Sequence, residues 1–158
     1  MMDRKDFLKM GSAGMFSTAL GINSKDPDKK LSCTDPRYRL ISFSKSGGEM
    51  WDSSFVCTDL PDPVCQGSIL NIKFKGKQML FFSNPSSQTK RENLTIKASD
   101  DDGISWKWSF SIDKGPASYS DLVYPGKKDI GILYEKNSIN AIVYSVNRIK
   151  YVVSRKSD

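Results

Sequence analysis

The sequence predicts an all-β protein made of four-stranded antiparallel blades, that is, part of a β-propeller. Three observations predict it. Two stretches of the form Ser-x-x-x-Gly-x-x-Trp end on Trp51 and Trp106, 55 positions apart. A second self-similarity has nearly the same period: SIL at Ser68 is followed by MLFF and NLTI, and SDL at Ser120 by IGILYE and AIVYSV, an offset of 52. A period near fifty with several short strands in each unit is the signature of propeller blades. Finally, nothing after residue 30 has the spacing of a long helix, whereas runs of about five to eight residues alternate with Gly, Asn, Asp and Lys turns.

Taken in order, the chain starts with MMDRKDFLKMGSAGMFSTALG, residues 1–21. A basic start, a weakly apolar middle and small residues at Ala19 and Gly21 are the layout of an export signal. Arg4-Lys5-Asp6-Phe7-Leu8-Lys9 is similar to a twin-arginine signal with Lys5 in place of the second arginine. The expected destination is therefore periplasmic or secreted. The apolar run is too short to span a membrane. Residues 22–36 form a linker around the polar stretch NSKDPDKK. The folded domain is expected over 37–158, with strands at 38–44, 66–73, 78–83, 92–98, 106–111, 119–124, 129–134 and 140–147.

Ser99-x-Asp101-x-Gly103-x-Ser105-Trp106 fits S-x-D-x-G-x-[ST]-W, the Asp box. The chemistry of such a loop is local. An aspartate can accept backbone N–H groups two residues on, and glycine supplies a positive φ. The tryptophan then packs beneath the turn. SKSGGEMW keeps Ser44, Gly48 and Trp51 but has Ser46 at the Asp position and Met50 at the Ser/Thr position, a degenerate copy. Both are signals of fold and carry no catalytic chemistry.

Composition removes several functions. There are 158 residues, with 11% aromatic, a formal net charge of +6 and no histidine. Without histidine there is no His general base, Ser-His-Asp triad or His-based metal site. The basic residues are dispersed, so they read as a solvated surface, and no nucleic-acid motif appears. Cys33, Cys57 and Cys65 contain no C-x-x-C pair, which argues against zinc. Cys57 and Cys65 either bridge in an oxidising compartment or remain buried thiols. No metal or cofactor is expected.

CQGSIL, SNPSSQTKRENLTI, the Asp box, GPASYSDL and LYE occur here in the order found in bacterial exo-α-sialidases (neuraminidases), and the chain resembles the C-terminal part of their catalytic domain. The resemblance covers roughly Arg37 to Ile149. It implies about two and a half blades of a six-bladed propeller, and hence a truncated chain. It implies a glycosidase that releases terminal sialic acid with retention, using a tyrosine nucleophile. Sialic acid carries a carboxylate on its anomeric carbon. Arginine, planar and permanently charged, suits that anion, and a neutral tyrosine meets it without the repulsion a carboxylate nucleophile would suffer.

By this resemblance Arg91 binds the sialic acid carboxylate, Tyr119 is the nucleophile and Glu135 orients an arginine. Gln66 and Ser68 lie near the pocket, where they pack or support the residues that meet the substrate. The family's acid/base aspartate, its first arginine and the glutamate that deprotonates the tyrosine have no counterpart here. Its second arginine is expected near Cys33, with Arg37 out of register. Sialylated glycans are the implied partners, together with further propeller blades. The alternatives are a non-catalytic sialoglycan-binding remnant and an inactive gene fragment.

Overall fold

The computed structural model describes residues 13–14, 37–52, 54–126, 128–137 and 141–148. Every strand pairing among them is antiparallel, and no helix occurs among the described residues. Nine strands follow in order: β1 (Ala13–Gly14), β2 (Tyr38–Phe43), β3 (Phe55–Pro61), β4 (Ser68–Phe74), β5 (Lys77–Pro85), β6 (Glu92–Ser99), β7 (Trp108–Gly126), β8 (Asp129–Lys136) and β9 (Ala141–Arg148). One sheet has the order β1-β2-β3; the other runs β4 to β9 in sequence order, a meander. Apart from Ala13–Gly14, which pair with Phe43 and Ser42, the expected export signal and the 22–36 linker lie outside the described residues.

The fold is a partial propeller, and strand β7 shows how one blade passes into the next. Its first half pairs with β6 as far as Glu92↔Pro116, and its second half pairs with β8 from Ala117↔Lys136 onward. One strand is therefore the outer edge of the β4-β5-β6 blade and the inner edge of the following one. The expected strands at 106–111 and 119–124 are joined into this single run. The exchange occurs at Gly115-Pro116, where the Gly115 N–H donates to Asp113 Oδ1 (2.9 Å) and the Asn137 N–H reaches the Pro116 carbonyl (3.0 Å). The two inner strands, β4 and the second half of β7, touch. Ser68 Oγ donates to Asp121 Oδ1 (2.8 Å) and accepts from the Leu122 N–H (3.0 Å).

Strand β5 is buried on both faces, which explains its unbroken MLFF run. Met79 and Phe81 join Ile72, Leu94, Ile96, Leu122, Ile130 and Ile132 in the core between the two blades. Leu80 and Phe82 face the other way, onto Ile41, Cys57, Leu60 and Trp106. Gly67 lies so close to Phe82 that a Cβ there would sit 2.6 Å from its ring, so CQGS needs glycine at this place.

Strand β3 was not expected from the sequence. FVCTDLP alternates poorly, with Asp59 and Pro61 inside it. Its conformation comes from tertiary partners. Lys97 Nζ donates to the Asp59 carbonyl, the Trp106 N–H to Asp59 Oδ2 (3.1 Å), and Asn84 Nδ2 to the Pro61 carbonyl (2.8 Å). Cys57 and Cys65 are both buried and free, so the disulfide alternative does not hold in this structure. No helix among the described residues is long and apolar enough to cross a membrane.

Candidate active site

Arg91 stands one residue before β6, after a loop that folds on itself. Ser87 Oγ accepts the N–H groups of Thr89 (3.4 Å) and Lys90 (3.2 Å). The Arg91 carbonyl then accepts the Ala117 N–H (2.9 Å), which ties the start of β6 to the crossover of β7. Tyr119 lies two residues beyond that bond. Alternation along β7 buries Ser118 and Ser120 and leaves Tyr119 45% exposed on the other face. Ser120 is held from behind, its hydroxyl 2.9 Å from that of Ser83.

These local constraints bring Arg91 and Tyr119 together. The Arg91 guanidinium carbon lies 5.3 Å from the centroid of the Tyr119 ring, and Nη2 donates to the Val64 carbonyl (3.2 Å). A cation over an exposed aromatic face contributes about 0.5–1 kcal/mol, enough to bias the side chain without locking it. Tyr119 borders an open hollow of about 410 Å³, lined also by Gln66, Ser120, Asp121, Leu133, Tyr134 and Glu135. That volume falls within the range of about 300–1,000 Å³ found for small-ligand sites.

Glu135 reaches the hollow from β8, opposite Ile142 of β9. The ion pairs of Arg39, Lys77, Lys107 and Lys136 are made with aspartates and not with Glu135. Its charge is nevertheless felt nearby. Burial pushes the Cys65 thiol above its ordinary pKa; Arg91 and Arg39 pull it down, while Asp62 and Glu135 push it up. Cys65 thus sits within electrostatic reach of both Arg91 and Glu135. Tyr134 enters the hollow from the same strand, its hydroxyl donating to Asp113 Oδ2 (3.0 Å). Burial and that carboxylate raise the Tyr134 pKa. Asp113 is held below the usual carboxylate range by Lys136, which pairs with it at 2.8 Å, and by the Gly115 N–H.

Of the residues singled out in the sequence, Tyr119, Glu135 and Gln66 therefore line one hollow, Arg91 lies against the Tyr119 ring, and Ser68 bonds to Asp121 of the same hollow. Gln66 lines the hollow, near the pocket as expected. Asp121, Leu133 and Tyr134 were missed, although Asp121 stands in the same YSDL stretch as Tyr119 and in phase with it. Arg39 and Asp62 were missed as well. Arg39 shares the inward phase of β2 with Ile41, an unusual place for a charge and a signal that alternation alone could have revealed.

Residues 29–132 match the family described as a BNR repeat-like domain. A sialidase of Bacteroides fragilis is 33% identical over 123 residues, which is 73% of this chain and 22% of that protein. A sialidase of Micromonospora viridifaciens is 36% identical over 120 residues, 72% of this chain and 18% of that protein. Among solved structures, a Hadza microbial sialidase superposes with a TM-score of 0.67 at 32% identity, covering 74% of this chain and 24% of that one. The chain spans about a fifth to a quarter of the length of these relatives. A blade-to-blade β7, an Arg–Tyr pair at the crossover and these matches lead to one assignment: the chain belongs to the sialidase family.

Proposed function

We propose that this chain contributes the C-terminal portion of a sialidase site that releases terminal sialic acid from sialylated glycans. The observation that carries the reading is the Arg91 guanidinium 5.3 Å from the Tyr119 ring, beside a hollow also reached by Glu135. A sialic acid presents its carboxylate and its anomeric carbon within one sugar ring, so clamp and nucleophile must lie side by side. Arg91 binds the carboxylate, and Tyr119 Oη attacks the anomeric carbon once a base has taken its proton. The glycan oxygen leaves with a proton from an acid, and water then cleaves the tyrosyl–glycosyl bond, with net retention. Glu135 acts as the countercharge that orients an arginine. Ser99–Trp106 serves as an Asp box, a structural loop away from this chemistry, and residues 1–21 direct export.

By the same resemblance, the family's acid, base and remaining arginines have no counterpart among the described residues. A single exposed ion pair contributes roughly 1 kcal/mol or less, too little to hold the anion alone. The site is therefore completed by further propeller blades. The test is turnover of a fluorogenic sialoside. The 158-residue chain alone is expected to give none, and to gain turnover when the N-terminal blades of a related sialidase are supplied in trans. Tyr119→Phe should abolish that gain. Hydrolysis by the chain alone would overturn the shared-site reading, and activity that survives Tyr119→Phe would overturn the nucleophile. Sialoside binding without turnover in the reconstituted mixture would favour the binding-only alternative.

A further inference from the structure

We propose that Asp62 and Arg39 are positioning residues for Arg91, acting through the peptide group between Val64 and Cys65. The proposal rests on the reading of Arg91 and Tyr119 given above and extends it to how Arg91 is held. Arg39 and Asp62 are 2% and 0% exposed and paired at 3.1 Å. A buried ion pair is weak evidence for stability, because apolar residues of similar size often do as well. This pair converges on one backbone segment. Asp62 Oδ1 accepts the Cys65 N–H at 3.1 Å, and Arg39 Nη2 donates to the Cys65 carbonyl. Arg39 is itself backed by the Phe82 ring, 5.4 Å from the guanidinium carbon.

The Cys65 N–H and the Val64 C=O belong to the same planar peptide group and point in opposite directions. Anchoring the N–H on Asp62 therefore fixes the direction of the carbonyl, and that carbonyl is the acceptor of Arg91 Nη2 at 3.2 Å. The geometry is not one valine chooses. Val64 has φ 62, a left-handed conformation disfavoured for a β-branched residue, and its side chain is 42% exposed, so packing of that side chain does not account for it. Held between the Val64 carbonyl and the Tyr119 face, the guanidinium keeps its other donors available for a carboxylate.

The test uses the full chain with isotope-labelled arginine and reads the Arg91 side-chain resonances, assigned with Arg91→Lys. Tyr119→Leu removes the ring and defines the position these resonances take without its shielding. Arg39→Met/Asp62→Leu, which leaves no charge uncompensated, is expected to move them to that same position while the Trp106 indole resonance stays in place. Val64→Gly keeps the carbonyl and tolerates the positive φ, so it is expected to leave them unmoved. A folded double variant with unmoved Arg91 resonances overturns the proposal. In the unmodified chain, the Cys65 amide should exchange as slowly as those of β5, and exchange at the rate of an exposed loop also overturns it. Titration with free sialic acid separates the two readings. Loss of the Arg91 shift in the double variant, with no sialic acid binding even by the unmodified chain reconstituted with the N-terminal blades of a related sialidase, keeps the positioning role and removes the sialoside site.

Discussion

The two tryptophan loops, 44–51 and 99–106, share a turn and differ in what the turn achieves. In each, the leading serine hydroxyl accepts the N–H groups two and four residues on: Ser46 (3.3 Å) and Gly48 (2.8 Å) from Ser44, Asp101 (3.3 Å) and Gly103 (2.9 Å) from Ser99. In each, the third side chain accepts the N–H four residues further: Met50 to Ser46 Oγ at 2.7 Å, Ser105 to Asp101 Oδ1 at 2.9 Å. Gly48 and Gly103 both take positive φ, 103° and 88°. Asp101 adds what Ser46 cannot, a second oxygen that takes the Ser105 hydroxyl at 2.6 Å and lies 3.7 Å from Lys107 Nζ. The larger difference is the tryptophan. Trp106 is 1% exposed, its ring against Phe82 and its backbone N–H on Asp59; Trp51 is 42% exposed and follows a Met50 that is 74% exposed. A serine and a glycine suffice to close the turn. Burying the tryptophan requires a neighbouring sheet.

The largest break in this comparison comes from the tryptophans themselves. Trp106→Ala removes a fully buried ring and should cost about 3–5 kcal/mol, whereas Trp51→Ala should stay near or below about 1 kcal/mol. Urea midpoints at unchanged slope would measure both, and equal losses would show that the two rings are equivalent. Next comes the carboxylate. Asp101→Ala should cost about 1–3 kcal/mol, towards the low end because the side chain is partly exposed.

Asp101 also sets a pH signature. Partial burial raises its pKa, but the Ser105 hydroxyl and N–H, the Ser99 hydroxyl and Lys107 outweigh that and lower it from 3.8 to about 2. Its contribution is therefore fully present above pH 3.8. It is lost as pH falls towards 2, because there the unfolded carboxyl binds a proton that the folded one does not. Asp113 is depressed as well, so acid melts of the parent chain and of Asp101→Asn should both slope, the parent more steeply. Parallel slopes would show that Asp101 titrates alike in both states. The smallest effect is a repair. Ser46→Asp/Met50→Ser restores the missing acceptor and hydroxyl at an exposed loop, and should stabilise by no more than about 1 kcal/mol; a gain as large as the loss from Trp106→Ala would mean that the loop, not the neighbouring sheet, controls burial.

Sequence and structure part company along the same line. The 52- and 55-residue spacings, the MLFF run and the S-x-D-x-G-x-[ST]-W loop were readable because each is a local pattern: periodicity, β-branched and aromatic residues, and side chains that bond their own backbone. They were enough for antiparallel blades and the hairpin at 99–106, whereas Arg91 and Tyr119 became candidates through the resemblance of SNPSSQTKRENLTI and GPASYSDL to sialidases. The sequence could not show that 106–111 and 119–124 are one strand, since the exchange of partners at Gly115-Pro116 depends on β6 and β8. Nor could it show β3, whose polar residues become strand only when Lys97, Asn84 and Trp106 bond to it. The approach of Arg91 to Tyr119, and the pairing of Arg39 with Asp62 behind Val64, belong to the tertiary structure alone. They join residues 23 to 28 positions apart, through a peptide plane and a ring face; the inward phase of Arg39 marks it as buried, but no local pattern names its partner.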